Sequence, residues 1–402
     1  MIDLKLIEKC EENLSEKFKY VEDVALFNQE KVLNAFKKNQ IALRHFVGTS
    51  GYGYGDEGRD TLNNLFADVF GSESAICSPS IASGTHALTL CLFGLLRPND
   101  KVLSVSGIPY DTLNDVINGE GIGSLKDFNV EFEYLPLKNG DFDYENIANK
   151  ITKNQYKMLY LQRSRGYDWR DALSISGIEK LVKFVRDLGF MGIIMLDNCY
   201  GEFVEKKEAT EVGVNVMAGS MIKNPGGGIA PTGGYIAGDK ELIEQIAGRI
   251  TAPSIGLEVG SYAFGYQYFY QGLFLAPHAV SQAIKGSLLV GEVLDSLGYE
   301  TSPSKDKIPG DIIRAIKFND KDKLISFIQT IQKYSPVDSH VSVEPWEMPG
   351  YEDAVIMAAG CFVQGSSLEL SADAPIRPPY IAYMQGGLTY EHVKIALKNM
   401  NL

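Results

Sequence analysis

Paired cysteines, clustered histidines and long unbroken apolar runs are what this sequence of 402 residues lacks. Its five cysteines, Cys10, Cys77, Cys91, Cys199 and Cys361, are scattered, and none forms a Cys-x-x-Cys pair. That argues against a zinc or dithiol centre and fits a reducing, cytoplasmic setting. The five histidines, His45, His86, His278, His340 and His392, stand far apart, so no metal site is expected. No stretch approaches the ~20 apolar residues of a membrane span, and the charged start from Met1 to Glu12 is unlike a secretory signal. Positive charge is also in the minority. With 38 basic and 51 acidic residues the net charge is −13, which argues against a general binder of nucleic acid or anionic membranes.

What is present is the patterning of a large globular α/β protein, 45% apolar and without a low-complexity tract. Leu4, Ile7, Leu14 and Phe18, then Val32 and Phe36, recur at helical spacing and predict a helical arm over residues 1 to 48. A Gly-dense loop at 48 to 58 leads to a helix from Thr61 to Phe70. From Ala75 to Gly234 strand-like segments (Ala75–Cys77, Val102–Val105, Phe132–Leu135, Met158–Gln162, Gly192–Leu196) alternate with helices. This alternation predicts a largely parallel sheet between helices in a domain over 49 to 276. Pro277 to Leu297 reads as a long linking helix with Pro in its first turn and Gly298 after its end. Ala354–Val363, Leu368–Leu370 and Tyr380–Met384 then read as strands of a smaller α+β domain that completes 277 to 402.

The chemistry is concentrated in two runs. Ile193-Ile194-Met195-Leu196 is an apolar strand that would deliver Asp197 at its carboxyl end, where open α/β sheets bind ligands. Lys223 follows in Ser220-Met221-Ile222-Lys223-Asn224-Pro225-Gly226-Gly227-Gly228. A lysine amine and a carboxylate are what pyridoxal phosphate requires: the first to hold it as a Schiff base, the second to keep its ring nitrogen protonated. Upstream, Ser83-Gly84-Thr85 precedes an apolar helix whose amino terminus favours a phosphate; a plain N-cap is the competing reading. Ser220 could add a hydroxyl to the same phosphate.

Taken in order, Ser-Gly-Thr-His-Ala, Asp-Asn-Cys-Tyr-Gly-Glu-Phe and Ser-Met-Ile-Lys-Asn-Pro-Gly-Gly-Gly resemble fold-type I pyridoxal phosphate enzymes over most of the chain. Gly48 to Asp60 and Ser106 to Leu113 are similar to the aluminium-resistance family, related to cystathionine β-lyase and methionine γ-lyase. The resemblance implies the fold-type I architecture and a carbon–sulfur lyase acting on a sulfur-containing amino acid. It implies that Tyr110 stacks on the cofactor ring, and Tyr200 is similar to an aminotransferase tyrosine that hydrogen-bonds the cofactor. It also implies a homo-oligomer, a dimer of dimers, in which Tyr52, Tyr54 or Arg59 reaches a neighbouring subunit's cofactor.

Two arginine contexts are candidates for the substrate carboxylate. Arg377, between Ala374-Pro375-Ile376 and Pro378-Pro379, offers a guanidinium fork on a stiff loop. Arg163 or Arg165, after the strand ending at Gln162, could face the same cavity. Lys223 would move protons between substrate carbons, and Tyr110 could assist as a general acid. Transamination, aldol cleavage and a non-catalytic cofactor-binding role are the alternatives that keep the cofactor. A nicotinamide-dependent oxidoreductase is suggested by Gly53-Tyr54-Gly55-Asp56-Glu57-Gly58, but Ala42 to Val47 before it does not read as a central strand.

Overall fold

A computed structural model describes residues 1–347 and 353–401. The chain opens with two helices, α1 (Leu4–Asn13) and α2 (Ser15–Lys38). Val21, Val24 and Val32 of α2 are buried, and the Asn28 amide donates to the carbonyls of Phe203 and Glu205 at 3.1 and 3.0 Å. The segment read as an arm is therefore docked on the body of its own chain. Helix α3 (Glu57–Val69) follows, capped by Asp56, whose carboxylate accepts from the Arg59 amide at 2.9 Å. Before it, Ala42 to Val47 contains a 3-10 turn, Leu43–Phe46, so the Gly-x-Gly-x-x-Gly run lacks the strand that a dinucleotide loop needs.

The alternation read from the sequence is realised as β1 (Ser74–Ser78), α4 (Gly84–Leu95), β2 (Lys101–Ser104), α5 (Asp111–Asn118), β3 (Glu131–Tyr134), α6 (Tyr144–Lys153), β4 (Met158–Gln162), α7 (Ile175–Asp187), β5 (Ile193–Asp197), β6 (Val216–Ser220), β7 (Gly234–Gly238) and α8 (Lys240–Ile250). The strands form one seven-stranded sheet in the order β1-β7-β6-β5-β4-β2-β3. Only β7 is antiparallel to its neighbours. Strand side chains alternate between two cores: Leu159, Leu161 and Leu196 on one face, Met158, Tyr160 and Met195 on the other. Helices cover both faces, which is why these strands are continuous apolar runs instead of alternating ones.

Helix α9 (Gln267–Ser296) starts ahead of Pro277, which lies inside it. Proline there forfeits one internal hydrogen bond, but Leu273, Ala276, Val280 and Ala283 around it are all buried, and packing holds the helix together. By length and composition α9 could cross a membrane, which no stretch was expected to do, yet most of its apolar window is buried inside the protein. Its amino-terminal half backs the loop after Lys223. A Cβ on Gly227 (φ +56°) would stand 2.3 Å from the Gly272 carbonyl oxygen, so only glycine lets loop and helix meet this closely.

The remaining strands, β8 (Glu300–Ser302), β9 (Ile313–Lys317), β10 (Val355–Ala358), β11 (Ser371–Pro375) and β12 (Ile381–Gln385), form a separate antiparallel sheet ordered β10-β11-β12-β9-β8. Helices α10 (Lys321–Lys333) and α11 (Tyr390–Lys398) accompany it. Leu368–Leu370, expected as a strand, is a loop. There the Glu369 carboxylate accepts from the backbone amides of Phe362 and Val363 at 2.9 and 2.8 Å and turns the chain on itself. Strand β9 was not foreseen because it carries Arg314, whose fully buried guanidinium donates to Ser287 and Thr301.

Candidate active site

The carboxyl ends of β4, β5 and β6 converge with the amino terminus of α4 on a cavity of about 370 Å³, closed on another side by the second sheet. Ser83, Gly84, Thr85, Tyr110, Asp197, Tyr200, Ser220 and Lys223, far apart in sequence, all line it. Parallel strands place their carboxyl ends on one edge, and the following turns deliver side chains there. After β5, the Asp197 carboxylate accepts from the Cys199 amide at 3.0 Å, and the Gly201 amide donates to the Asn198 carbonyl at 2.9 Å. This tight turn holds Tyr200 at φ +70°, a backbone region that costs a tyrosine ~1–3 kcal/mol and that structures tolerate mainly at functional sites.

Arg163 sets this turn from beneath. Its buried guanidinium donates to Asn198 Oδ1 at 3.0 Å and to the Gly201 carbonyl at 2.8 Å, and pairs with Glu205 at 2.8 Å. Lys223 Nζ lies over the Tyr200 ring. At the start of α4, Ser83 accepts from the His86 amide at 3.1 Å, so it is the N-cap as well as a cavity residue. The Thr85 and Tyr110 hydroxyls are 2.8 Å apart, and the Tyr110 amide donates to Gln162 Oε1 at 2.9 Å.

Burial raises the Asp197 carboxyl above the ordinary carboxylate range, against the opposing pull of the Cys199 groups and the Lys223 ammonium. Burial would lower the Lys223 amine, but Tyr200, Cys199 and Asp197 outweigh it and the amine is shifted upward. The Tyr110 phenol is pushed up, by burial first and then by Asp197 and Cys199, so it keeps its proton.

Several expected residues do not meet Lys223. Arg377 is on the surface, donating to Asp353 at 3.0 Å. Asp373 of β11 faces the cavity, and Arg377 lies four residues farther on, beyond the strand end at Pro375. Arg165 is buried and not part of the cavity lining, donating to Ser302 at 2.8 Å, while Ser164 and Gly166 on either side line it. Tyr52 and Tyr54 are exposed on an outer depression, rings 5.6 Å apart. Arg59 is buried beneath them, donating to Asp60 and to the Gly53 carbonyl at 2.8 and 3.0 Å.

The cavity also contains residues the sequence did not reveal. Gln162 and Cys199 come from the large sheet, while Asp373, Tyr383, Gln385 and Ile313 come from the second sheet. The motif Asp-Asn-Cys-Tyr already contained Cys199. Nothing local marks Asp373, a single acid in the strand Ser-Ala-Asp-Ala-Pro.

The donor set fits pyridoxal phosphate. An amine and a buried carboxylate share the cavity, and hydroxyls of Ser83, Thr85 and Ser220 surround a helix amino terminus suited to a phosphate. Backbone is laid bare at that terminus: a Cβ on Gly84 would meet Cys199 Sγ at 3.1 Å and Ser220 Cβ at 3.4 Å.

Comparison with known proteins gives the same direction. The methionine gamma-lyase family model matches residues 3–401. A candidate cystathionine beta-lyase involved in aluminum resistance from Listeria monocytogenes is 48% identical, over 98% of each chain, with a TM-score of 0.96. A carbon-sulfur lyase involved in aluminum resistance from Clostridium novyi NT is 49% identical, over 98% of this chain and 94% of that one, with a TM-score of 0.94. Among curated proteins, the uncharacterized YnbB of Bacillus subtilis is 48% identical over 94% of this chain and 91% of its own. The pyridoxal-5'-phosphate dependent YhfS of Escherichia coli, 15% identical with a TM-score of 0.64 over 94% of this chain and 95% of that one, shares the fold.

Proposed function

We propose that this chain, which belongs to the methionine gamma-lyase family, is a pyridoxal phosphate-dependent carbon–sulfur lyase that acts on a sulfur-containing amino acid. The observation that carries the reading is the meeting of Lys223 and Asp197, with Tyr200 beneath the amine, in one cavity at the carboxyl edge of the sheet. When bound, the cofactor supplies an electron-accepting ring that stabilises negative charge at the substrate α-carbon. Lys223 Nζ would hold the cofactor and, when free, is placed to move protons between substrate carbons. Asp197 would keep a proton on the ring nitrogen. Ser83, Thr85 and Ser220, with the first amides of α4, would hold the phosphate. Tyr110, which keeps its proton because burial raises its phenol, would stack on the cofactor ring and could act as a general acid.

In this chain Tyr52 and Tyr54 lie outside the Lys223 cavity and are exposed, which supports a homo-oligomer in which this loop completes a partner's site. The test is a visible spectrum of the purified protein and of Lys223→Ala, with separate assays of thiol, keto acid and ammonia release from cystathionine and methionine. A yellow wild type that releases all three products, and a Lys223→Ala variant lacking the band, is the expected result. A band that survives the substitution refutes the assignment of Lys223, and keto acid without thiol favours transamination.

A further inference from the structure

The ionisable lining of the cavity is unbalanced. Among the described residues it contains one cationic side chain, Lys223, against three aspartates, Asp111, Asp197 and Asp373. On the lyase reading two of these groups would be committed to the cofactor: Lys223 to the aldehyde and Asp197 to the ring nitrogen. Asp111 is exposed at the first turn of α5. Asp373 differs from both. It is half-buried on β11, paired in register with Tyr383, and so belongs to the wall supplied by the second sheet.

The partner of the Asp373 carboxyl is the Tyr167 side chain, with the Lys223 ammonium acting at longer range. Tyr167 is itself fixed, its carbonyl accepting from the Tyr383 hydroxyl and its ring lying 5.0 Å from that of Tyr383. An acid held in this way is costly to bury without a cation, and burial pushes it up to about 6. It remains mostly ionised at neutral pH and gains from any ammonium delivered through the cavity mouth. A substrate with one amine commits that amine to the cofactor and brings nothing for Asp373. A thioether that joins two amino acids brings a second ammonium at its far end.

We propose that Asp373 determines specificity, its carboxylate receiving the distal ammonium of a thioether that links two amino acids while Tyr167 orients it. This deepens, and rests on, the lyase reading above. The test compares L-cystathionine with S-carboxypropyl-L-cysteine, which lacks only the distal amine, in the wild-type holoenzyme and in Asp373→Asn. For the wild type, KM is expected to be at least about tenfold lower for cystathionine, as a partly desolvated ion pair provides. In Asp373→Asn that gap should close, with kcat changed less than about threefold and the cofactor's visible band retained. Tyr167→Phe should narrow the gap without closing it.

A wild type with no preference, a gap that persists in Asp373→Asn, or an equal loss on both compounds overturns the proposal. If the wild type releases keto acid from neither compound, the lyase reading fails. The two compounds then serve as simple ligands in calorimetry on the same proteins, where the same preference and its loss in Asp373→Asn are required.

Discussion

Lys223 Nζ lies 3.4 Å from the centre of the Tyr200 ring. The ring face attracts an ammonium by ~0.5–2 kcal/mol, and it sits where the strained turn after Asp197 puts it. The hydroxyl acts on the same amine through a side-chain hydrogen bond and makes a long contact, 3.5 Å, to the Ser366 carbonyl. Tyr200→Phe, which keeps the ring face and loses the hydrogen bond, should lower kcat about threefold, whereas Tyr200→Leu, which removes both, should lose about tenfold or more. Steady-state kinetics at equal cofactor content distinguishes the two.

Gly84 tests the phosphate cradle. Gly84→Ala places a methyl 3.1 Å from Cys199 Sγ at the helix amino terminus. The protein should fold, with stability reduced by ~1–3 kcal/mol, but lose cofactor faster. Absorbance before and after dialysis measures that loss.

Arg377 is exposed and paired with Asp353 on the surface. Exposed pairs contribute ~0–1 kcal/mol. Arg377→Ala should leave kcat/KM unchanged within about twofold and the unfolding midpoint almost unmoved; a large rise in KM would place this guanidinium in the substrate site after all.

Glu202 is fully buried, accepts from the Tyr235 hydroxyl at 2.7 Å through Oε1, and has no partner for Oε2. Burial raises its carboxyl to about 8. Between the ordinary glutamate range and about pH 8 the unfolded chain has released this proton and the folded one has not. The group's contribution therefore favours folding at low pH and is lost as pH rises toward 8. Glu202→Gln should flatten this slope, melting on the order of a few degrees higher than wild type at pH 8 and showing a smaller difference at pH 5. Calorimetric scans at the two pH values check it.

How much was legible depended on how local each feature is. Strand β4 occupies the residues expected, Met158–Gln162, because a buried parallel strand between helices announces itself as a short apolar run. Helix α9 was misplaced at its start because the local signal of Pro277 was weaker than the packing around it. The pair Asp197 and Lys223 was visible because a strand end and a Gly-rich turn each place a side chain without distant help. Arg377 had suitable chemistry for a carboxylate, but past the end of β11 its guanidinium pairs with Asp353 on the surface and is not part of the cavity lining.

The sequence by itself determined the alternation that makes the sheet, the helix start that can hold a phosphate, and the amine and acid at its carboxyl edge. These follow from periodicity and from turn chemistry acting over a few neighbouring residues. Only the tertiary structure decided that Asp373, Tyr383 and Gln385 would face Lys223 across one cavity, and that Arg165 would be buried against Ser302. That choice depends on how a second sheet, more than a hundred residues later along the chain than β5, packs against the first. Its contacts are between residues distant in sequence, and no local pattern encodes them.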